Sequence, residues 1–154
     1  MRFLAGLLVA AMMVQGVSVQ AVAVGTTIAP DKAFYRPGEA VTLVAALDAH
    51  TRLGAPMDAI LQVASLDGVV QAENHDDLGL DPRLAFTAEK AATYIVRLFA
   101  FPSAPDSTIA FRGGDNYIYR LTLTTGPFVT HAAPLAVSRA NPGEVEVRGW
   151  NVPP

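Results

Sequence analysis

The chain has no cysteine, so no disulfide or thiolate-bound metal holds it, and its stability outside a cell must come from its core or from a metal bound in another way. An exported chain without cysteine points to a bacterium. Charge is scarce too: 16% of residues are charged, the net charge is −3, and no run of lysines and arginines occurs. That removes the basic footprint by which nucleic acids and anionic membranes are recognised. No 3.6-residue apolar period runs far enough to make a convincing helix. Catalytic signatures are missing as well. Ser65, Ser103, Ser107 and Ser138 stand in no Gly-x-Ser-x-Gly elbow, and His50, His75 and His131 have no metal-ligand spacing. The neighbouring carboxylates Asp76 and Asp77 have no sign of the shaped cleft that acid/base work on a glycoside needs.

What is present begins with a leader. Arg2 precedes an apolar run from Phe3 to Val14, and small residues at Val19-Gln20-Ala21 and Ala21-Val22-Ala23 offer cleavage sites, so residues 1–23 read as a signal peptide. The run is shorter than the roughly 20 residues that span a bilayer. The expected mature chain is therefore secreted, periplasmic or at the cell surface, with no stable membrane span and slightly more acidic for the loss of Arg2.

Beyond the leader, strand-like runs alternate with turn-formers. The expected strands are Ala40 to Leu47, Ala59 to Leu66, Val69 to Glu73, Leu84 to Thr87, Thr93 to Phe101, Tyr117 to Thr124, Leu135 to Ser138 and Val145 to Arg148. Turns fall at Pro37-Gly38, Asp67-Gly68, Asp81-Pro82, Gly113-Gly114 and Pro142-Gly143. Of these, Leu66-Asp67-Gly68-Val69 is the clearest hairpin signal and reads as a type I′ turn. The fold class is all-β, an antiparallel β-sandwich or jelly roll. Its domain occupies residues 24–126. Tyr35-Arg36-Pro37-Gly38-Glu39-Ala40-Val41 is echoed by Ala140-Asn141-Pro142-Gly143-Glu144-Val145-Glu146, so residues 127–154 read as the start of a second, truncated immunoglobulin-like unit or as a tail. A unit so short buries no core alone, which suggests a fragment of a longer protein.

Chemistry concentrates in one acidic turn. Asn74, Asp76, Asp77 and Asp81 supply hard oxygen ligands on a loop between two strands, the donor set that calcium takes, with Asp58 as a further ligand. The spacing is not that of an EF-hand. The same residues also serve as ordinary turn-formers that keep a sheet edge soluble. Rings give a second candidate surface: Tyr94, Phe99, Phe101, Tyr117, Tyr119 and Trp150 stack on sugars as readily as they pack in cores. In the run from Asn116 to Leu123, strand parity puts Tyr117, Tyr119, Leu121 and Leu123 on one face, the better choice for the core.

The run Gly54-Ala55-Pro56-Met57-Asp58-Ala59-Ile60-Leu61, then Leu66-Asp67-Gly68, Glu73-Asn74-His75-Asp76-Asp77, Asp81-Pro82-Arg83-Leu84 and Thr93-Tyr94, resembles the bacterial pre-peptidase C-terminal domain. Gly113-Gly114-Asp115-Asn116-Tyr117-Ile118-Tyr119-Arg120-Leu121 continues the likeness, in the form found in large secreted or surface proteins of planctomycete type. The resemblance covers Ala33 to Thr125. It implies a β-sandwich, often calcium-dependent, that is appended to secreted peptidases or repeated in surface proteins and is not itself catalytic. Ala91-Ala92 departs from it where the family tends to have a Gly before the Tyr. A shorter stretch, Asp31-Lys32-Ala33-Phe34-Tyr35-Arg36-Pro37-Gly38-Glu39, is similar to the opening of macroglobulin-type domains. The expected function is a non-catalytic secreted module for adhesion, spacing or domain docking, partnered by neighbouring domains or by extracellular protein or polysaccharide. The alternatives are an accessory domain of a secreted hydrolase and a carbohydrate-binding module.

Overall fold

The structure, a computed structural model, describes residues 40–90, 92–107 and 110–153, and residues 8–13, 19–20 and 27–29 through their backbone alone. The Pro37-Gly38 turn, the Tyr35 repeat up to Glu39, the macroglobulin-like opening, Ala91 and most of the leader lie outside the described residues.

Alternation of apolar and polar residues makes the two main sheets. β1 (Leu8–Met13), β2 (Val19–Gln20), β5 (Met57–Ser65), β6 (Val70–Asn74) and β8 (Thr93–Pro102) form one, in the order β2-β1-β8-β5-β6. The other takes β3 (Thr27–Ala29), β4 (Val41–Asp48), β7 (Arg83–Ala88) and β9 (Arg120–Thr124) in the order β3-β9-β4-β7. All pairings in both are antiparallel except β3 with β9. Strands β1 and β2 fall inside the stretch read as leader, and β1 lies along β8 from Leu8 opposite Leu98 to Met13 opposite Thr93.

One face of each sheet is apolar, and the two faces meet. Met57, Ala59, Leu61 and Val63 of β5 and Tyr94, Val96 and Leu98 of β8 join Leu43, Ala45 and Leu47 of β4, Leu84, Phe86 and Ala88 of β7, and Leu121 and Leu123 of β9 in one cluster. This is the all-β sandwich that the alternation predicts. Each large side chain removed from water here contributes about 1.5–3 kcal/mol before entropy is counted. Phe86 and Tyr94 cross the interior edge to face, with ring centroids 4.8 Å apart, and the Tyr94 hydroxyl donates to the Lys90 carbonyl at 3.0 Å.

A third sheet, β10 (Phe128–Ala133) with β11 (Glu146–Trp150), is a two-stranded ribbon formed by residues 128–150. It is tied to the sandwich at its base. Asn151 takes a left-handed φ of 55° and its side-chain amide donates to the Thr42 and Thr125 carbonyls at 2.9 and 3.0 Å, while the Phe128 ring faces the Arg83 guanidinium at 6.0 Å.

Four expectations change. Leu135 to Ser138 is not a strand: the ladder ends at Ala133, because Pro134 has no N–H to continue it, and Leu135 is 96% exposed. Strand β9 starts at Arg120 rather than Tyr117, since the Tyr117 N–H is taken by the Gly114 carbonyl in a turn. Tyr117 therefore packs on the core, but Tyr119 is exposed. The Asp67-Gly68 turn is not type I′, which needs positive φ at both central residues. Only Gly68 has it, at 90°, and the bonds Gly68 N–H to Ser65 O and Ser65 N–H to Val69 O enclose a three-residue loop ending in a glycine bulge. Finally, four residues after β4 form a short helix, α1 (His50–Leu53), which ends at Gly54 in the left-handed region.

Candidate functional site

The acidic loop between β6 and β7 is built as a clasp. Asp81 is fully buried, and its carboxylate accepts the backbone N–H groups of His50 at 2.7 Å and Thr51 at 3.0 Å, two otherwise unpaired donors of the first turn of α1. The Thr51 hydroxyl donates in return to the Leu78 carbonyl at 2.6 Å, and the N–H of Leu47 donates to the Pro82 carbonyl at 3.0 Å. Asn74 accepts the Arg83 N–H at 3.0 Å. Asp77 lies 3.8 Å from an Arg83 guanidinium nitrogen, and the Nε of that arginine is buried without a hydrogen-bond partner among the described residues. Asp58 has its pKa raised by burial and, second, by the charge of Asp76.

The four residues singled out as calcium ligands are thus given separate tasks. Asp81 and Asn74 spend oxygens on backbone donors, Asp77 lies beside Arg83, and the charge of Asp76 acts on Asp58. Among the described residues, no group of three or more His, Cys, Asp or Glu side chains is placed to hold a metal ion. The histidines are dispersed: the His50 Nδ1 donates to the Ala55 carbonyl at 3.0 Å, His75 pairs with Glu73 at 2.9 Å, and His131 lies on β10. Ser65 and Ser138 use their hydroxyls within turns.

Rings gather elsewhere, on the outer face of the first sheet. Strand parity turns Asp58, Ile60 and Gln62 of β5 and Arg97, Phe99 and Phe101 of β8 away from the core. Register sets Asp58 opposite Phe101, Ile60 opposite Phe99 and Gln62 opposite Arg97. The chain then doubles back. The Arg112 N–H donates to the Ala100 carbonyl at 3.0 Å, which lays Phe111 over both outer phenylalanines, 5.5 Å from Phe99 in a stacked pair and 5.0 Å from Phe101. Phe111 is 56% exposed.

Polar groups border this patch. Burial pushes the Asp58 carboxyl up from its ordinary pKa, Asp76 adds to the effect, and His75 and His50 oppose it. Glu73 is held below its ordinary value by hydrogen bonds from His75 and Gln62. The sequence singles out Phe99 and Phe101 but not Phe111. Their spacing of two residues, at the parity opposite Tyr94, Val96 and Leu98, is the signal that they leave the core; Phe111 sits in a segment with no period to read. Trp150 pairs with Phe128 at 5.9 Å and Tyr94 is core, so neither belongs to the patch. Compared with known proteins, the chain matches no family model, no curated sequence and no solved structure.

Proposed function

We propose that this protein is a secreted, non-catalytic β-sandwich module for adhesion or docking, and that the outer face of its first sheet is the surface that binds. The observation that carries this is the Phe99, Phe101 and Phe111 cluster, in which Phe111, more than half exposed, packs on two rings held by β8. Apolar rings held in water on a stiff support are a cost to the free protein that a bound partner removes, and aromatic anchors of this kind dominate interface energetics. The function implied by the resemblance to pre-peptidase C-terminal domains agrees with this reading.

A carbohydrate-binding role is the second reading, favoured by Asp58 lying across from Phe101. Rings to stack on a sugar face and a carboxyl to accept its hydroxyls then sit side by side. One experiment tests both. Full-length protein is passed over cellulose, chitin, peptidoglycan and mucin coats, alongside Phe111→Ser. Retention on a coat that falls about tenfold in the variant, with an unchanged melting temperature, is the expected result. Equal retention of both proteins on every coat removes the docking face, and loss on mucin alone removes the structural-polysaccharide reading.

A further inference from the structure

The β10–β11 ribbon is little covered by the rest of the described residues. Among the described residues it has no third strand, and apart from Phe128, Ala132 and Trp150 its residues are exposed. A ribbon of two strands is marginal in water, and its outer edges present free backbone donors and acceptors. We propose that the free edge of β11 pairs with β11 of a second copy of this chain, antiparallel and about a twofold axis at Val147.

The sequence Val145-Glu146-Val147-Arg148-Gly149 is complementary to itself when reversed. An axis at Val147 sets Glu146 against Arg148 of the second copy, and Arg148 against its Glu146. It also sets Val147 against Val147 and Val145 against Gly149, so no side chain crowds another. Opposite charges directly across an antiparallel pair attract and like charges repel. Sliding the register by two residues puts Glu146 against Glu146 or Arg148 against Arg148 on the axis; the first shift also sets Arg148 against Glu144, so the Val147 register is the one that pairs opposite charges with no like pair. Strand β10 has no such code, because Phe128-Val129-Thr130-His131-Ala132-Ala133 holds no carboxylate.

In the single chain the Arg148 guanidinium bonds the Glu146 carboxylate at 2.6 Å, with 64% and 61% of their side chains exposed. Pairing turns that one solvated contact into two across the strands and covers Val147, which is 43% exposed alone. The interface is isologous, the commonest form of closed assembly. It is separate from the aromatic face and holds whatever that face binds.

Charge exchange tests it. Sedimentation velocity of the full chain, from micromolar to near-millimolar concentration, is expected to show a reversible dimer. Glu146→Arg alone and Arg148→Glu alone each weaken it about tenfold or more. The double variant recovers it, and an equimolar mixture of the two single variants forms a 1:1 dimer that neither forms by itself. That recovery separates the pairing from any folding defect. A wild-type monomer at every concentration overturns the proposal, as does a dimer indifferent to either charge change, or a mixture that stays monomeric.

Discussion

Asp58 is a carboxyl half withdrawn from water at the border of an aromatic patch, and its raised pKa has a definite sign for stability. Below the ordinary carboxylate value both folded and unfolded chains hold the proton, and Asp58 makes no difference. Between that value and the raised folded value the native state holds the proton while the unfolded state has released it, so stability falls as pH rises. Above the window the loss is constant. Asp58→Asn is therefore expected to melt higher than wild type at neutral pH, with the gain shrinking to nothing as pH drops through the acid window. Melting curves of both proteins over a pH series check it. Glu73 and Asp67 act in the opposite sense: both are held low, Glu73 chiefly by His75 and Asp67 chiefly by the Ser65 hydroxyl. The stability they add is present above their ordinary values and is lost as pH falls through the lowered ones. None of this was legible in the sequence. Asp58 is readable as an acidic residue in a strand, but its withdrawal from water follows from the three-dimensional packing around it, which the alternation does not encode.

At the scale of elements, the ribbon depends on a residue with no side chain. Gly149 lies opposite Val129, and a Cβ built there overlaps the Phe128 carbonyl, with Val129 Cα only 2.9 Å away. Backbone cannot yield as a flexible side chain can, so Gly149→Ala is expected to unpair β10 from β11 while the sandwich stays folded. Amide exchange would show lost protection at residues 128–133 and 146–150, with the β5–β8 ladder unchanged. Most elements were legible, from alternation backed by burial or from the turns that bound them. β4, β5, β6, β7, β8 and β11 match their expected spans to within two residues; β4, β5, β7 and β8 have an apolar face against the core, whereas exposed β6 and β11 follow the Asp67-Gly68 and Pro142-Gly143 turns. β10 was missed and Leu135 to Ser138 taken in its place, since neither segment buries a face and composition alone favoured Leu-Ala-Val. The candidate site was legible in halves: the acidic turn is where the sequence puts it, but the roles of its oxygens depend on α1, a helix too short to leave a period.

Across the whole molecule, the sandwich is closed at one end by Asp81. Its two oxygens join segments 31 and 30 residues apart, and the same loop reaches β4 through Pro82 and β5 through Leu80. These bonds tie together α1, β4, β5 and the loop before β7, segments remote in sequence, and the clasp is expected to close late in folding. Contacts made after the folding barrier leave the folding rate alone and set the unfolding rate. Asp81→Ala removes the acceptor of two part-buried N–H groups and is expected to lower stability by about 1–3 kcal/mol. Nearly all of that loss should appear in the unfolding limb of a denaturant chevron, with refolding close to wild type. In a chain without a disulfide, one carboxylate acts as a latch on lifetime: it governs how long the folded state lasts rather than how readily it forms.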